Sequence, residues 1–272
     1  MKKTSATSFI TFGLIAWSIM AAPLSARVIF EAGYENGLEN NGNAGIKVVE
    51  PEDDRIEAST NVSRVGSGSV RTELRYGDMT PVSVRSESSV RDAGGAPIIQ
   101  RGVVRFYAFS VYLAPGYQQD SNGDILFQIK QGSSGPSFHF MADEGKFKFH
   151  YTNNDQPKGV TSPYFEESGY RAGIWYDFVL EFLPQYTSDG YFKFFYKKAS
   201  ESEYTELIHY TGSTLIHDRD GYIKWGIYKS TWARKPTDST LRVVYHDNIK
   251  VATTFDEVRL PAYLPENADA GN

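Results

Sequence analysis

Three short sets of residues, far apart in the sequence, combine cations with an amide, a carboxylate and phenols. They are Arg85 with Glu87, Gln128 with Lys130, and Tyr222 and Lys224 with Tyr228. Within each set the spacing is even, so in a β-strand its members project from one face. The stretch Gly221–Lys229 shows this most plainly. Ile223, Trp225 and Ile227 fall on one face and suit a core, while Tyr222, Lys224 and Tyr228 fall on the other, with Gly226 leaving open space between them. If the three polar faces line one concave sheet, two or three cations, an amide and a phenol converge. Such a set binds a carboxylate, polarises it and moves a proton, and a groove built this way holds a polyanion. The competing reading is a half-exposed strand in which Tyr serves as a good β-former.

The elements that must position these residues are strands. Alternation or apolar runs mark strands at 28–30, 66–76, 82–90, 103–113, 125–131, 221–229 and 241–251. Hairpins are expected around Asp143-Glu144-Gly145 and Ser188-Asp189-Gly190. The segment 153–170 reads as a loop beside the groove, and 231–239 as another loop. Asp120-Ser121-Asn122-Gly123-Asp124 resembles the start of a calcium loop, but its glycine is displaced and Gln131 stands where the closing carboxylate belongs, so it reads as a turn. About a dozen strands with no good amphipathic helix, no repeat and no linker predict a single antiparallel β-sandwich.

The chain has 272 residues, a net charge of −5 and no cysteine. A mildly acidic chain disfavours a nucleic-acid partner, and the absence of cysteine excludes disulfides, a lipoprotein anchor and thiolate metal sites. Residues 1–26 carry a secretory pattern: Lys2 and Lys3, an apolar run over 9–22, and small residues up to a cleavage site after Ala26. That run is too short for a membrane span. Three segments are expected: a signal peptide over 1–26, one domain over 27–260 and a disordered tail over 261–272. The location is secreted or periplasmic, and the protein a monomer.

Arg85-Ser86-Glu87, Gln128-Ile129-Lys130 and the Tyr222–Tyr228 heptapeptide YIKWGIY resemble three motifs of the β-jelly-roll polysaccharide lyases. Family 7 alginate lyases carry R-S/T-E, Q-I/V-H and Y-F-K-x-G-x-Y in this order, and the heparin lyase I-like and glucuronan lyase groups share the pattern. The likeness extends over nearly all of residues 27–252. It implies a concanavalin-like, single-domain jelly roll with a concave groove, acting on a uronate-containing anionic polysaccharide by β-elimination. Arg85 and Gln128 would neutralise the uronate carboxylate, Tyr228 would transfer the proton, and Lys224 would hold the substrate or lower the tyrosine's pKa. Glu87 and Tyr222 would line the groove. Such an elimination requires no cofactor.

Lys130 occupies the place where these lyases carry histidine. It supplies charge, but a lysine with an ordinary pKa of about 10.4 is a poor base at neutral pH, so His139 on the next strand is the candidate replacement. Arg71-Thr72-Glu73-Leu74-Arg75 matches the arginine motif even more literally; Arg85 is preferred because its separation from Gln128 is closer to the family's, and Arg71 is the alternative. Asp247, near Glu31 of the first strand, stands where several relatives hold a structural Ca²⁺; a hydrogen-bonded strand aspartate is the competing reading. Trp232, Tyr164 and Trp225 could stack on sugar rings, although Trp225 also suits the core. Hydrolysis fits less well. It needs two flanking carboxyl groups, the E-x-D-x-x-E pattern of jelly-roll hydrolases is missing, and no G-x-S-x-G elbow is present. The rival function is a non-catalytic carbohydrate-binding module of the same fold.

Overall fold

The computed structural model describes residues 26–38, 45–81, 83–118, 120, 122–132, 135–154, 160–163 and 169–263. In chain order the strands are β1 (Val28–Ala32), β2 (Lys47–Val49), β3 (Ile56–Ser59), β4 (Ser69–Arg75), β5 (Arg85–Val90), β6 (Asp92–Ala93), β7 (Ala96–Pro97), β8 (Arg105–Leu113) and β9 (Asp124–Lys130). They continue as β10 (Pro136–Asp143), β11 (Lys146–Tyr151), β12 (Val160–Pro163), β13 (Trp175–Leu183), β14 (Tyr191–Lys198), β15 (Thr205–Thr211), β16 (Tyr222–Tyr228) and β17 (Leu241–Ala252). One sheet runs β15-β14-β13-β8-β17-β4-β3, with β1 also pairing to β17; the other runs β12-β11-β10-β9-β16-β5-β2. All the pairings are antiparallel. The result is the all-β jelly-roll sandwich expected from the sequence. Among the described residues no helix is long and apolar enough to cross a membrane.

Alternation puts every second side chain of the inner strands between the sheets. Phe109 of the first sheet stacks on Phe127 of the second at 4.2 Å and on its own neighbour Phe178 at 5.1 Å. Trp225 is buried there, and its indole N–H donates to the Tyr34 hydroxyl at 2.7 Å, so its place is the core and not a sugar-binding surface. Each such side chain contributes on the order of 1.5–3 kcal/mol by leaving water.

A buried charge cluster ties the two sheets together at one end. Lys229, immediately after β16, reaches Asp124 of β9 at 2.6 Å and Asp120 at 3.3 Å; Arg242 of β17 reaches Asp120 at 2.9 Å and Asp124 at 2.5 Å. All four side chains are at most 3% exposed, and two cations balance two carboxylates. Asp120 and Asp124 thus face inward onto protein cations.

The expected signal peptide lies outside the described residues up to residue 25, as does the tail from 264 onward. Residues 261–263 are held: the Pro261 carbonyl accepts hydrogen bonds from Arg64 at 2.6 Å and Lys197 at 3.0 Å, and the Tyr263 amide donates to Ala199. The ordered domain therefore continues past residue 260. Within the expected loop 153–170, residues 160–163 form the edge strand β12.

His246 of β17 sits between the sheets, its Nε2 donating to the Leu126 carbonyl at 3.0 Å. Burial pushes its pKa down to about 3, against about 6.5 in an unfolded chain. Between those values the unfolded chain binds more protons, so this contribution to stability is complete above about pH 6.5 and is lost as pH falls. Asp247 acts in the opposite sense: burial pushes its carboxyl up to about 7, so its contribution is lost as pH rises toward that value. A difference measurement isolates the histidine. The gap in unfolding free energy between the native protein and His246→Gln should shrink by roughly 1 kcal/mol per pH unit between about pH 6 and 4. Urea titrations measure it, and a gap independent of pH would mean that the imidazole is not held neutral.

Candidate active site

The three polar sets reach one face because β5, β16 and β9 are neighbours in the second sheet. Across β16 and β5, Tyr228 lies opposite Arg85 and Gly226 opposite Glu87; across β16 and β9, Lys224 lies opposite Gln128 and Tyr222 opposite Lys130. The alternate residues of these strands, among them Phe127, Ile129, Ile223 and Trp225, belong to the core, so the polar set faces away from the other sheet.

Glu87 is the hub. Its carboxylate accepts from Lys224 Nζ, from Gln128 Nε2 and, at 3.1 Å, from Arg85 Nη1. The sequence reading placed Glu87 among the residues lining the groove, but with 2% exposure it lies beneath that face. It orients the polar side chains around it. Burial lowers the Lys224 pKa, and Glu87 opposes that shift. Lys130 is half-buried, and among the described residues it forms no ion pair; burial, then the Arg85 charge, lower its pKa. Arg85 holds its guanidinium 4.5 Å above the Tyr228 ring, an attractive cation–π geometry. Its Nε–H is buried with no hydrogen-bond partner, an unsatisfied donor beneath the face. Three cations, Arg85, Lys130 and Lys224, therefore stand around one carboxylate, which pairs with two of them.

The backbone of β16 is bent to aim Tyr228. Trp225 to Tyr228 spans three steps against two, Phe127 to Ile125, on β9. This is a β-bulge, and Gly226 adopts φ +129° within it. A Cβ there would sit 2.3 Å from the Ser86 carbonyl oxygen. Gly226 is therefore required by the backbone, whereas the sequence suggested only open space. Beyond the bulge, the Lys229 amide donates to Val84 at 3.1 Å and its side chain enters the buried charge cluster, so Tyr228 is held on both sides.

Tyr222 lies on the same face but is 8% exposed; its hydroxyl donates to Gly132 at 3.3 Å and Arg91 covers its ring at 3.8 Å. It is a packed wall residue. His139 lies directly opposite Gln128, and its ring stacks on His150 at 4.5 Å. Burial, followed by His150, pushes its pKa down to about 3.

Three expectations are corrected. Arg71 belongs to β4 of the first sheet, where it pairs with Glu73 and Glu57 and borders a cavity of about 550 Å³ with Tyr245. Of the two motif arginines, Arg85 is the one on this face. Trp232 is buried in a short 3-10 turn, donating to Thr237 at 2.8 Å and lying against Lys229 and Arg242 of the charge cluster, so it is not a sugar platform. Asp247 and Glu31 do not share a cation site. Asp247 accepts from the backbone amides of Arg64, Val65 and Asn248, while Glu31 pairs with Lys250 at 2.9 Å. Among the described residues no group of three or more His, Asp or Glu side chains is gathered for a metal, and these two do not fit a calcium ion. Tyr164 lies outside the described residues.

Sequence reasoning missed His150 and Arg91 on this face and the Asp120–Asp124–Lys229–Arg242 cluster behind it. The lysine directly after Tyr228 was the available signal for the cluster.

A family model described as polysaccharide lyase matches residues 33–250. No curated protein matches the sequence significantly. Among solved structures, an endo-β-1,4-glucuronan lyase from the fungus Trichoderma reesei is similar with a TM-score of 0.64 and 21% identity, over 80% of this chain and 94% of that one. A marine PL-14 alginate lyase from Aplysia kurodai gives 0.50 and 15%, over 77% and 90%. A GH131 β-glucanase catalytic domain from Podospora anserina gives 0.52 and 11%, over 80% and 87%. At these identities the likenesses establish the fold, which lyases and a glucanase share.

The bulge gives a direct test. Gly226→Ala should destabilise the fold by about 1–3 kcal/mol or more, since it adds strain at positive φ and a clash with Ser86. Gly135→Ala, where an added Cβ meets nothing within 4 Å, should change stability by less than about 0.5 kcal/mol. Denaturant titrations of the two variants measure the contrast.

Proposed function

Because the chain belongs to the polysaccharide lyase family, we propose that it cleaves a uronate-containing anionic polysaccharide, such as glucuronan, alginate or a glycosaminoglycan, by β-elimination. The observation that carries this reading is the unbalanced charge of the site: Arg85, Lys130 and Lys224 around the single carboxylate of Glu87, beside the Tyr228 phenol. Uncompensated positive charge on a partly desolvated face favours an anion.

A uronate C5 proton is too weakly acidic to leave unaided. In this mechanism the carboxylate docks against the Arg85 guanidinium, the Lys130 ammonium and the second amide hydrogen of Gln128, whose first is held by Glu87. As C5 loses its proton, negative charge grows on the carboxylate oxygens, where these fixed donors stabilise it most. Tyr228, as phenolate, takes the C5 proton. The C5–H electron pair becomes the C4=C5 double bond, the C4–O4 bond breaks, and the departing O4 receives a proton from the same phenol. Lys224, anchored to Glu87, keeps the floor of the site positive. None of these steps draws on a cofactor. A secreted or periplasmic monomer goes with this reading.

One observation favours the rival reading of a binding module. Lys130 stands where related lyases carry an imidazole, and its ammonium is no acceptor for a proton. The discriminating experiment incubates the protein with a panel of polyuronates and follows ultraviolet absorbance from the new C4=C5 bond. Absorbance should rise with at least one polymer. Binding to a polymer with no rise on any would support the module.

Two variants separate the roles. Tyr228→Phe keeps the ring under Arg85 and removes the oxygen, so kcat should fall by about 10²–10⁴-fold with polymer binding retained. Tyr222→Phe, which loses only the bond to Gly132, should lose far less. Gln128→Ala should lower kcat more than it raises KM, because its bond strengthens as charge develops. An affinity loss at constant kcat would assign Gln128 to binding alone.

A further inference from the structure

The face that carries Arg85, Lys130 and Lys224 continues across the sheet onto β10 and β11. In register across the strands run Lys47, Ser89, Lys224, Gln128, His139 and His150. Neighbouring strands lie about 4.8 Å apart, so the His139 and His150 backbones stand roughly 5 and 10 Å beyond Gln128, on the side away from Arg85. Tyr228 is four positions along β16 from Lys224, roughly 13 Å less the shortening at the bulge. Together the two offsets exceed one pyranose ring. The imidazoles therefore face a different sugar from the one whose C5 meets Tyr228.

The chemistry of this second half differs from that of the first. The His139 and His150 rings stack 4.5 Å apart at 19°. Burial lowers both pKa values, so both rings are neutral near pH 7. A neutral imidazole offers one donor and one acceptor, the complement a sugar hydroxyl needs. His139 Nδ1 is buried without a partner, while His150 Nε2 lies 3.3 Å from the Thr152 hydroxyl. The nearby cation, Lys148, is occupied by Asp143 at 2.8 Å and Glu144 at 3.4 Å. Lys146, the exposed cation on this face of β11, stands four positions from His150 at the end of the strand, so the groups beside the imidazoles suit hydroxyls more than a carboxylate.

We propose that the His139–His150 pair is a sugar subsite adjoining the reaction centre, which reads ring hydroxyls and makes no demand for a carboxylate. The inference rests on the lyase reading and sharpens its substrate class. The chain must present a uronate at Arg85 and Lys130, whereas the unit over the histidines is a neutral sugar or a uronate alike. His139 is accordingly a binding residue and not the base.

The experiment has two arms. In the first, His139→Gln, His150→Gln and the double variant are assayed by absorbance on a homopolymeric uronate hexamer and on a hexamer alternating uronate with neutral hexose. The native protein should cleave both, and the double variant should raise KM about 10-fold, the loss of one or two hydrogen bonds, with kcat within about threefold. A fall in kcat at constant KM would make His139 a proton carrier and overturn the proposal. So would unchanged kinetics, or failure of the native protein on the alternating hexamer alone. In the second arm, imidazole ¹⁵N resonances of the Tyr228→Phe protein are followed with the alternating hexamer. Those of His139 and His150 should move, while that of His209 stays. Motion without cleavage of any polymer by the native protein would sink the lyase reading and leave the subsite standing. Cleavage with no motion at saturation would do the reverse.

Discussion

The site depends on one carboxylate held out of water. Glu87 gathers the Lys224 ammonium, the Gln128 amide and the Arg85 guanidinium, and these come from three neighbouring strands. A buried carboxylate is costly unless paired and hydrogen-bonded, so the same interaction that satisfies Glu87 also fixes the side chains around it. Lysine, arginine and glutamine are long and rotamer-rich, and holding them in advance removes an entropic cost that binding would otherwise carry. Because one carboxylate cannot neutralise three cations, the hub leaves a positive surplus at a defined place.

A second set of buried charges performs the corresponding task for Tyr228. Lys229 and Arg242 against Asp120 and Asp124 form a closed, neutral set. Its net contribution to stability is small, but removing one member strands a buried charge at a cost of about 3–5 kcal/mol. That asymmetry makes the cluster a rigid anchor one residue beyond the phenol. The Gly226 bulge fixes the approach from the other side. Tyr228 is thus placed by a glycine bulge and buried charge as well as by sheet pairing.

Much of this was legible in the sequence. The two-residue period of the strands carries face information directly, which is why Arg85, Glu87, Gln128, Lys130, Lys224 and Tyr228 could be grouped from segments far apart. Sheet membership is not carried by that period. Arg71-Thr72-Glu73 has the local form of Arg85-Ser86-Glu87, and only the pairing of β4 with β17 sends it to the other sheet. Burial of polar residues was equally hidden. Glu87 and Asp124 look like surface carboxylates until their partners arrive from other strands. The same holds for Trp232, which alternation could not place because it lies in a turn. The edge strands β2, β3, β12 and β15 escaped notice because short or largely exposed strands carry little apolar alternation.

The central claim is that the positive surplus around Glu87 receives a uronate carboxylate and turns the C5 of that sugar toward residue 228. A crystal structure of the Tyr228→Phe protein with a bound oligouronate tests it most directly. The account predicts one carboxylate within hydrogen-bond reach of the Arg85 guanidinium and of Lys130 or Gln128, with C5 of that ring facing Phe at position 228. A saccharide whose carboxylates all point to solvent, or one lying on the outer face of the other sheet beside Arg71, would contradict it.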